Sequence, residues 1–308
     1  MKPKIIIPGG TGFIGNHVSK YFYEKGWEVI VLTRKTAYKK NGIAYLNWDG
    51  KTLGDWAKTF ENAKLILNLA GKSVDCRYNE KNKKAILDSR INSTKVIGQA
   101  VQNCKNPPEI WMNAASATIY KHTLDEPAND EINGVIGSGF SVNVCKAWEA
   151  EFDNCKTPNT RKIKLRTAIT LGKKGGVMKP LRNLVRLALG GHQGDGNQFI
   201  SWLHIKDFAR IVDWLVEHKD VDGIINCASP NPQRNRDFMS VLRKVTGHII
   251  GLPAPARLLE IGAVFIRTET ELILKSRKVF PKRLLDEGFE FKFPELERAM
   301  TDLVADWS

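Results

Sequence analysis

The chain has 308 residues, 42% hydrophobic and 26% charged, ordinary globular proportions that allow one large core plus an appendage. Its 47 basic against 33 acidic residues give a net charge of +14. With no nucleic-acid module in view, the lysine runs read as solvated faces, and DNA or RNA binding ranks below an anionic small ligand in a basic cleft. The cysteines (76, 104, 145, 155 and 227) lack CxxC spacing and clustered histidines, which argues against a disulfide framework and against any metal site. MKPKIIIPGG has no signal-peptide character, and the longest apolar runs, such as IGAVFI at 261–266, fall short of a membrane span. A soluble, cytoplasmic protein is the expectation.

In chain order, KIIIP at 4–8 is a short apolar run that ends in glycines. FIGNHVSKYFYEKG then carries apolar residues at helical spacing and stops at Gly26, so the unit reads strand, turn, helix. WEVIVLTR (27–34) is a second buried strand, and IAYLNWD, KLILNLAG and EIWMNAAS repeat the pattern. The alternation continues through KIKLRTAITLG (162–172), a helix near 177–189 and GIINCAS (223–229). β-Branched runs alternating with helices predict an α/β fold: a doubly wound parallel sheet of the Rossmann type. The division expected is a nucleotide-binding domain over 1–230, with substrate-side insertions from about 170, and a smaller C-terminal domain over 231–308.

PGGTGFIG places Gly9, Gly12 and Gly15, with Phe13 and Ile14 between the last two, directly between a strand and a helix. The first glycine permits a tight turn, the second admits a pyrophosphate to the backbone, and the third lets helix and strand pack closely. The end of the second strand offers Thr33, Arg34 and Lys35 and no carboxylate, the pattern that favours the 2′-phosphate of NADP over the ribose hydroxyl of NAD. Asp49, ending the third strand, reads either as an acceptor for the adenine amino group or as a loop Asx-turn.

GGTGFIG, NLAG at 68–71, SATIY at 116–120, CKAWEAEF at 145–152, GDGNQFISWLHIKD at 194–207 and FPKRLLDEGFEFKFPELERAMTDL near the C-terminus together resemble the extended short-chain dehydrogenase/reductase superfamily. In particular they resemble its atypical YfcH-like group of epimerase family proteins, over essentially the whole chain. The resemblance implies NADP (NADPH) binding, with Leu69, Ala70 and Gly71 lining the cofactor. It also implies a substrate cleft between the two parts, and homodimers as in the superfamily.

In active members a tyrosine and a lysine four residues later share one helical face, and a serine at the end of the fifth strand holds the substrate carbonyl. Ser116 and Lys146 stand where the serine and lysine belong, but Val142 takes the tyrosine position. Tyr21 with Lys25 has the spacing, yet it lies on the helix after the glycine loop and is a decoy. Tyr120 is the remaining candidate proton donor, with Lys146 as cofactor anchor. Arg166 would bind an anionic substrate or pair with a carboxylate; Gln198, Trp202 and His204 would line the substrate side; Asp207 would cap the amphipathic helix that follows. Two readings stay open: an NADP-binding oxidoreductase or epimerase-like enzyme for a small, polar, anionic substrate, and a catalytically silent NADP sensor recognised by a partner protein.

Overall fold

The computed structural model describes residues 2–125, 127–255 and 271–305, so the apolar run at 261–266 lies outside the described residues. The first strand, β1 (Lys4–Pro8), buries Ile5, Ile6 and Ile7 completely, as a strand covered on both faces must. Around it runs an eight-stranded sheet. In chain order its strands are β2 (Glu28–Thr33), β3 (Tyr38–Lys40), β4 (Ile43–Asn47), β5 (Leu65–Asn68), β6 (Ile110–Ser116), β7 (Arg161–Thr167) and β11 (Gly223–Cys227). The spatial order is β11-β7-β6-β5-β1-β2-β4-β3, parallel throughout except for β3 against β4. The chain therefore reverses direction across the sheet between β1 and β5, and the switch point opens at the carboxyl ends of those strands.

The pleat sorts the core. Ile5, Ile7, Val29, Val31, Leu65 and Leu67 face α1 (Phe13–Glu24) and α5 (Ile205–Glu217). Ile6, Ile30, Leu32 and Ile66 face the opposite layer, which includes α2 (Glu80–Gln102) and α3 (Phe140–Asn154). The β3–β4 hairpin is absent from the sequence reading, although its signal was present: Asn41 (φ 50°) and Gly42 (φ 79°) form the left-handed turn that an Asn-Gly pair between strands favours. Tyr38 stacks on Tyr45 across it at 4.2 Å.

Between β7 and α5 the chain forms β8 (Ile169–Leu171), α4 (Met178–Arg186), β9 (Phe199–Ile200) and β10 (Trp202–His204), and a third apolar cluster lies beyond the sheet. Trp202 of β10, Phe238, Met239 and Leu242 of α6 (Asn235–Val245), and Leu296, Ala299, Met300 and Leu303 of the C-terminal helix Leu296–Val304 pack together. Asp207 is what ties α5 to this region, and its reading as the N-cap is corrected. The cap is His204, whose Nδ1 accepts from Lys206 N at 3.1 Å. Asp207 sits inside the first turn, fully buried, and accepts from the backbone amides of Lys292 (2.9 Å) and Phe293 (2.8 Å) and from Arg210 Nη1 (2.9 Å). Three donors satisfy a buried charge that would otherwise be costly. Among the described residues no helix is long and apolar enough to cross a membrane.

Candidate functional site

The glycine loop connects β1 to α1 at the switch point, and two of its glycines are required by close approach. Gly9 has φ +77°, and a Cβ there would lie 2.7 Å from Leu69 O and 2.8 Å from Ala70 Cα and N. A Cβ on Gly15 would lie 2.5 Å from Gly10 Cα. Gly12, the N-cap of α1, is different: the nearest atom to its Cβ position is Gly9 O at 3.4 Å. Its missing side chain leaves open space at a helix N-terminus that has no acidic residue in the first turn, the arrangement that receives a phosphate. Phe13 begins the helix with its ring against Gly172, Gly175 and Gly176, each of which would clash with or crowd it if it carried a Cβ. Ile14 and Leu69 pack half-buried on the core below. Asn68 shapes the facing loop: its Oδ1 accepts from Ala70 N at 3.0 Å while its amide donates to Asn113 at 2.7 Å.

At the end of β2 Thr33 is buried, whereas Arg34 and Lys35 are exposed. A planar fork on Arg34 beside the ribose end of the crevice suits a 2′-phosphate. Asp49 is a correction. Its Oδ1 accepts from the amides of Lys51 (2.7 Å) and Thr52 (2.9 Å), and its Oδ2 from the Thr52 hydroxyl (2.8 Å), so it builds an Asx-turn. Those backbone bonds hold its carboxyl below the usual range, and no sharing with adenine is needed to explain it.

The end of β6 and the face of α3 carry the positions that the sequence marks as catalytic candidates. Ser116 finishes β6, and its Oγ accepts from Thr118 N at 3.2 Å. On α3, Cys145 is buried in the apolar cluster that contains Ala117, the residue after Ser116. Lys146 is one residue, about 100° of helical turn, out of phase and is exposed. Val142 is buried in an apolar cluster with Ala117, Ile119, Tyr120 and Cys145. Burial pushes the Cys145 thiol up to about 11, which keeps it protonated at neutral pH. Arg90 of α2 lies against α3. Its Nη1 donates to Lys72 O (3.1 Å) and Ile86 O (2.9 Å) and its Cζ stands 5.0 Å over the Trp148 ring. A Cβ on Gly71 would be 3.3 Å from that Cζ, so Gly71 makes room for the guanidinium. Arg90 and Cys145 carried no sequence signal that set them apart.

The proposed proton donor is also corrected. Tyr120 is 1% exposed; its hydroxyl donates to Asn226 Oδ1 (2.9 Å) and accepts from Arg166 Nη1 (3.0 Å). Arg166 does not wait for a substrate: its Nε and Nη2 make a two-pronged bond to Glu149, each at 2.8 Å. Burial works against its charge, but Glu149 outweighs it and holds the guanidinium above its ordinary range. The chain of contacts Glu149–Arg166–Tyr120–Asn226 continues to Glu131, which accepts from Asn226 N at 2.8 Å. It is a buried polar strut, and burial raises both the Tyr120 and Glu131 pKa values.

The other substrate-side candidates are interior as well. Gln198 is buried and donates to Gln193 O at 2.8 Å; Trp202 Nε1 donates to Asn231 O at 3.0 Å. His204 is fully buried, stacked on Phe293 at 3.9 Å, with Nε2 3.3 Å from Asp302. Burial lowers its pKa to about 4, so it is a neutral cap. The decoy pair is engaged elsewhere: Tyr21 donates to Asp213 at 2.9 Å and Lys25 pairs with the same carboxylate.

Residues 5–228 match the model of the NAD dependent epimerase/dehydratase family, and 254–303 match a domain of unknown function, DUF1731. The chain is 30% identical over 307 residues to the human epimerase family protein SDR39U1, covering 98% of this chain and all of that one. It is 29% identical over 306 residues to the epimerase family protein YfhF of Bacillus subtilis (strain 168), covering 98% of each. The crystal structure of human SDR39U1 (isoform 2) with NADPH superposes with a TM-score of 0.87 at 29% identity, over 98% of this chain and 99% of that one. A UDP-N-acetylglucosamine 4-epimerase from Bacillus cereus, 18% identical and covering 98% of each chain with a TM-score of 0.75, shares the fold.

Proposed function

Because the chain belongs to the NAD dependent epimerase/dehydratase family, we propose that it binds NADP(H) at the switch point between β1 and β5 and acts on a small polar substrate as an epimerase-like oxidoreductase. The observation that carries this reading is the glycine loop. Gly9 and Gly15 fold it against β5 and α1, and Gly12 leaves the space a pyrophosphate takes. Arg34 at the end of β2, with no carboxylate beside it on that strand end, supports the phosphorylated cofactor. Human SDR39U1, bound to NADPH in its crystal structure, is consistent with that choice.

When bound, the dinucleotide supplies or accepts a hydride. Ser116 would hold the substrate carbonyl oxygen by donating its hydroxyl proton in a hydrogen bond, and Gly71 and Ala70 would border the nicotinamide ribose. With valine at 142 and Tyr120 locked in the strut, the proton that completes a reduction comes from water entering the crevice. The same two facts favour a second reading, a silent NADP(H) sensor.

Titration of the purified protein with NADPH and NADH, followed by nicotinamide fluorescence, tests the cofactor. NADPH should bind more tightly, and the preference should collapse in Arg34→Ala. Equal binding of both nucleotides in the unaltered protein refutes the assignment. Hydride consumption across a panel of carbonyl substrates, with Ser116→Ala in parallel, separates enzyme from sensor: turnover lost in the variant supports the enzyme, and none in either supports the sensor.

A further inference from the structure

We infer that the paired C-terminal ends of α4 and α6 form a docking surface for an anionic phospholipid bilayer, with aliphatic side chains entering the headgroup boundary and cations beside them meeting the lipid phosphates. The surface shares no residue with the site proposed above.

Both helices stop in the same way. Ala188 follows α4 with φ 57°, its amide donating to Val185 O at 3.0 Å while that of Leu189 reaches back to Leu184 O at 2.9 Å. Gly247 follows α6 with φ 71°, its amide donating to Lys244 O at 3.2 Å and that of His248 to Arg243 O at 2.9 Å. Each pair of bonds is a Schellman closure, whose left-handed position glycine usually fills; at 188 an alanine takes it against the steric preference of an L-residue. The chain turns back sharply after each helix, and the two tails then hold one another. Leu252 N donates to Ala188 O at 2.8 Å, Gly191 N to Leu252 O at 3.1 Å, and Arg243 Nη1 to Gly190 O at 2.6 Å.

What this joined tip displays is aliphatic. Leu187 is 69% exposed, Ile249 95% and Ile250 65%, and Leu189 and Leu252 are exposed as well. The stripe by which α4 packs on α6 is a different one, Met178, Leu181 and Val185, and none of the five exposed side chains belongs to that cluster. An isoleucine that keeps 95% of its surface in water stands clear of its own fold, the geometry of a side chain that enters another apolar medium.

Charge selects the occupant. Lys179, Arg182 and Arg186 follow one another at helical spacing along one side of α4, about 100° round from the core stripe. Lys179 stands in the first turn, where the helix dipole disfavours a cation and no acidic residue offsets it, so helix stability does not account for it. Neither 172–194 nor 238–255 contains an aspartate or glutamate; Glu297, from the C-terminal helix, is held by Lys244 at 2.8 Å. A second copy docked through this tip would set cation against cation. An acidic bilayer supplies both requirements, an apolar boundary for the aliphatics and a negative surface potential for the cations.

The full chain is sedimented with sucrose-loaded vesicles of phosphatidylcholine and, separately, of an equal mixture of phosphatidylcholine and phosphatidylglycerol. It should pellet with the mixed vesicles, more than with phosphatidylcholine alone, and less as salt rises. Partitioning should fall about 10-fold when Ile249→Ser and Ile250→Ser are combined, through lost apolar area, and about 10-fold when Lys179→Gln and Arg186→Gln are combined. It should hold when Lys84→Gln and Lys95→Gln, which alter two exposed lysines of α2, are combined. Circular dichroism checks the fold of each variant, and should one tip variant misfold, the other decides. No pelleting with the mixed vesicles, equal pelleting with both compositions, unchanged partitioning in a folded tip variant, or an equal loss in the α2 variant overturns the proposal. Sedimentation velocity without lipid reads the alternative: a dimer that the Ile249→Ser and Ile250→Ser variant dissociates assigns the tip to a second copy and overturns the bilayer.

Discussion

Replacing Tyr120 with phenylalanine distinguishes a strut from a proton donor. The ring stays and packing is conserved, so only the hydroxyl is lost. Among the described residues that oxygen is the sole hydrogen-bond partner of Asn226 Oδ1 (2.9 Å) and of Arg166 Nη1 (3.0 Å), and Tyr120, Asn226 and Arg166 are all buried. The vacated space is a single oxygen, too small to admit a water that could take over both bonds. Leaving a buried polar group unsatisfied costs about 1–3 kcal/mol, more when it is charged. Two groups are stranded, but the guanidinium keeps its two bonds to Glu149, so a loss of about 3 kcal/mol is expected. Urea unfolding followed by circular dichroism reads it as a lower midpoint at unchanged slope, with NADPH affinity held. A loss below about 1 kcal/mol, or intact stability with abolished turnover, would refute the strut and return Tyr120 to the cleft.

The glycine loop predicts a contrast between two alanine variants. Gly12→Ala should fold with near-normal stability, since its Cβ meets nothing closer than 3.4 Å, yet lose NADPH affinity; Gly9→Ala should lose both, because φ is +77° and backbone stands at 2.7 Å. Melting temperature and nicotinamide fluorescence check this, and an unstable Gly12→Ala or a stable Gly9→Ala would contradict it. His204 predicts an acid sensitivity. Its folded pKa of about 4 lies below the ordinary 6.5, so the stability it contributes is complete above pH 6.5 and is lost as pH falls toward 4. That amounts to about 3 kcal/mol. His204→Asn retains a capping acceptor without the titration, so the stability difference between the two proteins should shift by that amount between pH 7 and pH 4. A difference that stays flat with pH sinks the assignment.

The sheet was legible because its strands are written twice over. Runs such as Ile5–Ile6–Ile7 are apolar at every position, which only a strand covered on both faces requires. Glycine at 9, 12 and 15 marks the one turn where backbone must approach backbone. The hairpin at Asn41–Gly42 was legible too, but its strands are short and β3 is exposed, so periodicity hid it. The phase of α3 was not legible. Residues 142 and 146 have the right spacing, and so do 141 and 145; spacing cannot choose between stripes that lie 100° apart. Packing decides residue by residue: it buries Val142 and Cys145, one from each stripe, in a single cluster with Ile119 and leaves Lys146 exposed. Arg166 and Tyr120 failed for a related reason. A polar side chain at a strand end points to the crevice or into the layers, and Glu149, which decides the matter, arrives from another helix.

The same argument explains why the basic excess was a poor guide to the site. Surface lysines stand in solvated pairs such as Lys20–Glu24 and Lys84–Asp88, which leave the net charge of +14 unchanged and contribute little to stability or recognition. A cation becomes informative when folding removes its water, and that condition cannot be written in a local stretch. Arg90 satisfies it because Gly71 yields room and α2 carries it over Trp148. Gly71 and Trp148 lie far along the chain from Arg90. The glycine loop is a local motif and could be read in order; the buried strut Glu149–Arg166–Tyr120–Asn226 is assembled from distant segments, so its partners become visible only when they meet.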